Sequence, residues 1–122
     1  MKNLISIVEI PTIEFPRAVK FYQTILNTSI EEINMEGALM GLFPSDGETV
    51  SVALINSSQY KTSTDGAVVY FNAGDDLQIV LDKIKANGGK IIVPKTDIGS
   101  EMGFYAMFMD TEGNKLGLHS KN

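Results

Sequence analysis

One histidine, His119, stands in this chain of 122 residues, and there is no cysteine. The chemistry open to it is therefore narrow: thiolate metal sites, disulfides and cysteine nucleophiles are excluded together. An imidazole can carry a proton near neutral pH, and a neighbouring carboxylate favours its charged form. Glu9 is the carboxylate of interest, because it interrupts the otherwise apolar run Leu4 to Ile10, whose only other polar residue is Ser6. Glu9 and His119 can act as base and acid in a proton transfer. They can equally be ordinary, with His119 in water at a strand end and Glu9 paired with a lysine or a backbone group. As a metal site the two are too few, since zinc-type sites use three or four protein ligands. No phosphate loop, nucleophile elbow or dinucleotide fingerprint accompanies them.

The elements that must position these residues follow from pattern. His119 ends the stretch Gly103 to Ser120, in which an apolar run (Phe104 to Met109), a polar turn (Asp110 to Asn114) and an alternating run (Lys115 to His119) read as a β-hairpin. A degraded copy of it lies 66 positions earlier, at Gly37 to Ile55, with Gly37 on Gly103, Gly47 on Gly113, Val50 on Leu116 and Val52 on Leu118. The chain is thus a duplicated unit. Ahead of the first hairpin come a strand (Leu4 to Ile10), a helix opening near Pro16 with Ala18, Phe21, Tyr22 and Ile25 on its apolar stripe, and an acidic strand (Ser29 to Met35). Ahead of the second come a strand (Ala67 to Asn72), a helix opened by a capping box of Asp75 and Gln78 and stopped by Asn87, Gly88 and Gly89, and a short strand (Lys90 to Val93) ended by Pro94. A longer loop, Thr96 to Met102, precedes the second hairpin. The expected architecture is α+β: one domain over 1–122, made of two tandem β-α-β-β-β units (about 1–56 and 66–122) with 57–65 as linker.

Alternation assigns the strand faces. Val50, Val52 and Leu54, with Leu116 and Leu118, face the helices, so Ser51, Ala53, Gly117 and His119 face the other way. Small and polar residues on that side suit a cavity lining better than a filled core. The first strand adds Ile5, Ile7 and Glu9, and the fifth adds Val69 and Phe71. These nine residues are the expected cavity lining, with Glu9 and His119 its ionisable members. Tyr105 and Met107 share a face that alternation alone does not assign.

The order of units, the RAVKFY helix, the helix ending in NGG and the final D-x-x-G-N-x-x-x-L hairpin resemble the vicinal oxygen chelate superfamily, which includes glyoxalase I, bleomycin resistance proteins and extradiol dioxygenases. The resemblance spans essentially the whole chain. It implies a curved, mostly antiparallel sheet around a cavity with helices outside, and a homodimer. In metal-using members a divalent ion is held by His, Glu or Gln from the first and last strands of each unit, and it grips two vicinal oxygens as a Lewis acid. Those positions carry over to Ile7, Ser51, Val69 and Gly117, none of them a usual ligand.

The formal charge of -5 argues against nucleic acid. No apolar run reaches membrane-spanning length and no signal peptide is evident, so a cytoplasmic protein is expected. The leading expectation is a cofactor-free and metal-free homodimer that binds a small organic molecule in the cavity between its repeats. One alternative is a glyoxalase-like lyase or isomerase using Glu9 and His119. Another is a dimeric protein-interaction module whose cavity is vestigial.

Overall fold

The computed structural model describes residues 3–122. The first unit runs β1 (Ile7–Pro11), α1 (Phe15–Ile25), β2 (Glu31–Met35), β3 (Ala38–Leu42) and β4 (Ser51–Asn56). The second runs β5 (Tyr70–Asn72), α2 (Gln78–Ala86), β6 (Lys90–Asp97), β7 (Phe104–Met109) and β8 (Lys115–Ser120). The expected pair of β-α-β-β-β units is present, and the strands form two four-stranded sheets, ordered β1-β4-β3-β2 and β5-β8-β7-β6. In each sheet the first strand pairs parallel with the last and the other pairings are antiparallel. In each unit the helix carries the chain from the first strand to the opposite edge of the sheet, and the next three strands return as an antiparallel meander whose last strand lies parallel beside the first. Among the described residues no helix is long and apolar enough to cross a membrane.

One hydrophobic core serves both units. Helix α1 buries Phe15, Ala18, Val19, Phe21, Tyr22 and Ile25, and these cluster with Leu54 of the first unit and Ala106, Phe108, Leu116 and Leu118 of the second. Tyr22 lies at the seam, its ring 5.8 Å from that of Phe43 and 5.7 Å from that of Phe71. As the spacing predicted, Phe21 and Tyr22 are core residues, with Tyr22 fully buried.

Two local expectations give way. Pro94 does not end its strand: β6 continues to Asp97, with register shifts between Ile91 and Val93 and between Val93 and Thr96. Because β6 is the sheet edge, a proline without an N–H costs no ladder bond there, and the irregularity absorbs its ring. The Asp75 and Gln78 capping box does not form either. The Leu77 N–H at the start of α2 donates to Ser120 Oγ at 3.0 Å, the Gln78 N–H donates to Asp76, and Asp75 accepts from Asn122.

The turn between β7 and β8 does more than reverse the chain. Asp110, Glu112 and Asn114 are all buried. Asp110 Oδ2 accepts from the Tyr22 hydroxyl at 2.7 Å, and Asn114 Nδ2 donates to the Pro11 carbonyl at the end of β1. Glu112 Oε1 accepts the backbone N–H groups of Ile13 and Glu14 at 2.8 and 2.6 Å, and its Oε2 accepts from Arg17 Nε and the Thr111 hydroxyl. Burial pulls the Glu112 carboxyl upward, but the Arg17 hydrogen bond, the Glu14 N–H, Thr111 and the Ile13 N–H outweigh it and hold the group below its ordinary 4.5. Burial first, then Asp110, pushes the Tyr22 phenol well above its ordinary value, so it remains a donor.

A carboxylate with a depressed folded-state pKa stabilises fully above its unfolded value and loses that contribution as pH falls through the folded-state value. Glu112→Gln is expected to lower stability by about 2–4 kcal/mol at pH 7, since it strips charge from a buried network while Arg17 stays partly solvated. In thermal melts this amounts to a Tm drop on the order of 10 °C. The difference between the two proteins should shrink below pH 4.5; equal melting temperatures at pH 7 would sink this account of the turn.

Candidate functional site

With the helix-facing sides of both sheets committed to the core, the opposite sides remain open. On the second sheet the register places Tyr70 beside Gly117 and Asn72 beside His119, and across β7 it pairs His119 with Tyr105 and Gly117 with Met107. Strand β5 is therefore one residue out of phase with the sequence expectation. Phe71 packs in the core, its ring stacked 6.0 Å from Phe43, and Val69 also packs against the core. Neither shares a face with Gly117 and His119. The unassigned pair Tyr105 and Met107 does.

Tyr70 is the residue that the sequence reading missed. A Cβ at position 117 would collide with its ring, so the aromatic lies flat on the glycine. A signal for it existed, because an aromatic side chain beside a strand glycine is a recurrent way of filling the gap the glycine leaves. Around it opens a depression of about 750 Å³ lined by Tyr70, Thr96, Asp97, Ile98, Tyr105, Met107 and His119.

The rim is the stretch from Ile98 to Gly103. Gly99, Ser100 and Glu101 are consecutive left-handed residues with φ of 91, 50 and 60°, and Gly103 follows at 89°. Such a run is costly for residues bearing a Cβ and persists only when its surroundings hold it. Asp97 accepts the Gly99 N–H at 2.8 Å, the Ile98 N–H donates to the Gly103 carbonyl, and the Met102 N–H donates to the Gly99 carbonyl. His119 adds a side-chain tie, with Nε2 2.9 Å from the Met102 carbonyl oxygen. A carbonyl only accepts, so Nε2 carries the hydrogen.

The remaining expected residues stand apart from this depression. Ile5, Ile7 and Ser51 line a separate recess of about 410 Å³ with Glu48 and Thr49. Ala53 is buried on β4. Glu9 lines a polar crevice with Lys61, Asp65, Val69 and Lys115, where Oε1 accepts from the Tyr60 hydroxyl at 2.9 Å. That hydrogen bond and the carboxylate charge raise the Tyr60 pKa. The expectation that Glu9 and His119 share one pocket does not hold within a single chain, since the two belong to different sheets and different recesses.

The four positions aligned with ligand-bearing strands also sharpen. Ile7 pairs with Ser51 and Tyr70 with Gly117, which replaces Val69 by Tyr70. An alkyl group, one hydroxyl and a phenol whose ring covers a glycine do not make the His, Glu or Gln donor set that such an ion needs. Among the described residues no group of three or more His, Cys, Asp or Glu is arranged to hold a metal.

Comparison with known proteins agrees with this architecture. Residues 4–118 match the profile of the Glyoxalase/Bleomycin resistance protein/Dioxygenase superfamily. A glyoxylase-like domain-containing protein of Didymella fabae is 32% identical over 120 residues, covering 90% of this chain and 88% of the relative. Among solved structures, a glyoxalase I variant from Zea mays superposes with a TM-score of 0.76 at 17% identity, over 95% of this chain but 45% of the maize chain. The chain therefore spans less than half the length of that enzyme. A fosfomycin resistance protein, FosX, from Listeria monocytogenes, crystallised with Mn(II) and 1S,2S-dihydroxypropylphosphonic acid, superposes with a TM-score of 0.67 at 20% identity, over 100% of this chain and 92% of FosX.

The rim generates a prediction of its own. A Cβ at Gly103 would run into the Ser120 carbonyl oxygen while the backbone sits at φ of 89°. Gly103→Ala should cost about 2 kcal/mol or more in chemical denaturation, and release the His119 tie. The release would be read as a change in the ¹⁵N shift of His119 Nε2; an unmoved Nε2 signal would mean that the rim does not depend on this glycine.

Proposed function

This chain belongs to the glyoxalase/bleomycin resistance protein/dioxygenase superfamily, and from that premise we propose that it binds a small organic molecule without a metal, on the open face of its second sheet. The observation that carries the reading is Tyr70 lying on Gly117. At the strand position where metal-using relatives would place a ligand, this chain presents an aromatic surface backed by backbone. The depression around it is rich in apolar surface, with Tyr105, Met107 and Ile98 beside Tyr70 and only a few polar groups among its walls, the usual make-up of a small-molecule site. Binding rather than turnover is favoured because Glu9 is already engaged by Tyr60 and, within one chain, lies in a different recess from His119, so a protomer does not itself assemble an acid–base pair in the depression.

We read the whole chain as one domain of two repeats that works in the cytoplasm as a homodimer. Supporting the dimer, the open face of the first sheet carries Ile7 and Met35, 63 and 54% exposed, and the second sheet and its rim expose Tyr70, Ile98 and Met102. Apolar surface on both open faces suits burial against a second copy. The binding site would then draw one wall from each protomer.

Light scattering should give a dimer at micromolar concentration, and elemental analysis after incubation with Ni, Zn, Mn and Fe should find no stoichiometric ion. In a thermal-shift screen of small organic molecules, a ligand at 100 times its Kd adds about 2.7 kcal/mol, and Tyr70→Ala should abolish that gain while leaving a folded dimer. A tightly held stoichiometric metal would overturn the metal-free reading. A screen without a single stabilising compound would favour the interaction-module alternative.

A further inference from the structure

The walls of the second-sheet depression also constrain what it can take. Tyr70 and Tyr105 contribute rings, Met107 a thioether and Ile98 an alkyl chain. Rings and thioethers gain most from a flat aromatic partner, by stacking, edge contact and sulfur contact. The polar wall is more selective. His119 Nε2 is committed as a donor to the Met102 carbonyl, so in the neutral ring Nδ1 is a lone-pair acceptor. Among the described residues Nδ1 has no hydrogen-bond partner of its own. The carboxylate of Asp97 also lines the site, and one of its oxygens already accepts from the Gly99 N–H. The imidazole Nδ1 and the Asp97 carboxylate therefore present acceptors, the Thr96 hydroxyl already donates to the Pro94 carbonyl, and the donors left to this wall are the phenols of Tyr70 and Tyr105, in a chain whose formal charge is -5. An anion would meet repulsion, and a ligand with acceptors alone would leave His119 unanswered.

We propose that the ligand is an uncharged, flat aromatic compound bearing an O–H or N–H at its edge, with the ring held by Tyr70 and Tyr105 and the edge donor given to His119 Nδ1. This rests on the reading above that the second-sheet depression is a small-molecule site, and adds the chemical class. The role of the rim follows: by holding Nε2–H, the Met102 carbonyl selects the tautomer whose other nitrogen accepts. A rim residue thus sets the polarity of the site without touching the ligand.

The test uses three probes of similar size on the full chain: 2-naphthol, its methyl ether, which lacks the donor, and 2-naphthoate, which adds a negative charge. Affinities come from NMR titration at pH 7.5, with backbone signals of Tyr70, Tyr105 and Met107 reporting location. The expected result is that 2-naphthol binds about five-fold more tightly than its methyl ether, one neutral hydrogen bond's worth, that naphthoate binds more weakly than both, and that His119→Ala erases the preference for the donor. Equal affinities for naphthol and its ether would overturn the donor rule while leaving the binding site standing. A preference that survives in His119→Ala would overturn the assignment to His119. Absence of any shift at Tyr70, Tyr105 and Met107 with all three probes would overturn the site itself. Should His119→Ala fail to fold, the ¹⁵N shift of His119 Nδ1 in the unaltered protein decides, since accepting a hydrogen bond from naphthol must move it and the ether must not.

Discussion

Helix α1 cannot finish its own N-terminus, and that deficit organises the molecule. Its N-cap residue, Glu14, makes no side-chain cap, and the first turn holds no acidic residue. The orphan N–H groups of Ile13 and Glu14 are met by Glu112, 98 residues or more away on the turn of the second unit. A buried carboxylate there satisfies the donors, complements the positive end of the helix dipole and orients Arg17. Because removing it would break two part-buried hydrogen bonds and the Arg17 ion pair at once, the two units are held in one relative placement by polar chemistry as well as by apolar packing. Asp110 and Asn114 extend the same lock to Tyr22 and to the end of β1.

Once that lock fixes α1 across both units, the faces of the sheets are decided. Each sheet has one side against the shared core, so its other side is left to solvent, to a ligand or to another copy. Chemistry that depends on groups from both units meeting in one pocket is not available inside a single chain, which is why Glu9 and His119 separate. What the second sheet offers instead is a glycine covered by a tyrosine, an aromatic and sulfur-bearing wall, and a histidine whose tautomer is set by a strained rim. Strain of this kind is held by neighbours, and here the neighbours are Asp97 and His119.

Much of this was legible in the linear sequence. The 66-residue offset of the two hairpins, the apolar stripe of α1 and the alternation of Leu116 with Leu118 depend only on local periodicity, and they determined the two-unit α+β architecture, the core and the family. The absence of usual ligands at Ile7, Ser51 and Gly117 was equally visible, since residue type needs no geometry. The phase of β5 was not. In the run Ala67 to Phe71 every residue is apolar, so alternation carries no signal, and only pairing with β8 places Tyr70 beside Gly117 and sends Phe71 to the core. The turn Asp110 to Asn114 reads locally as a turn, and nothing in it announces that its carboxylates reach α1. Contacts of that kind depend on which distant donors arrive unpaired, a property of the assembled chain rather than of any segment of it.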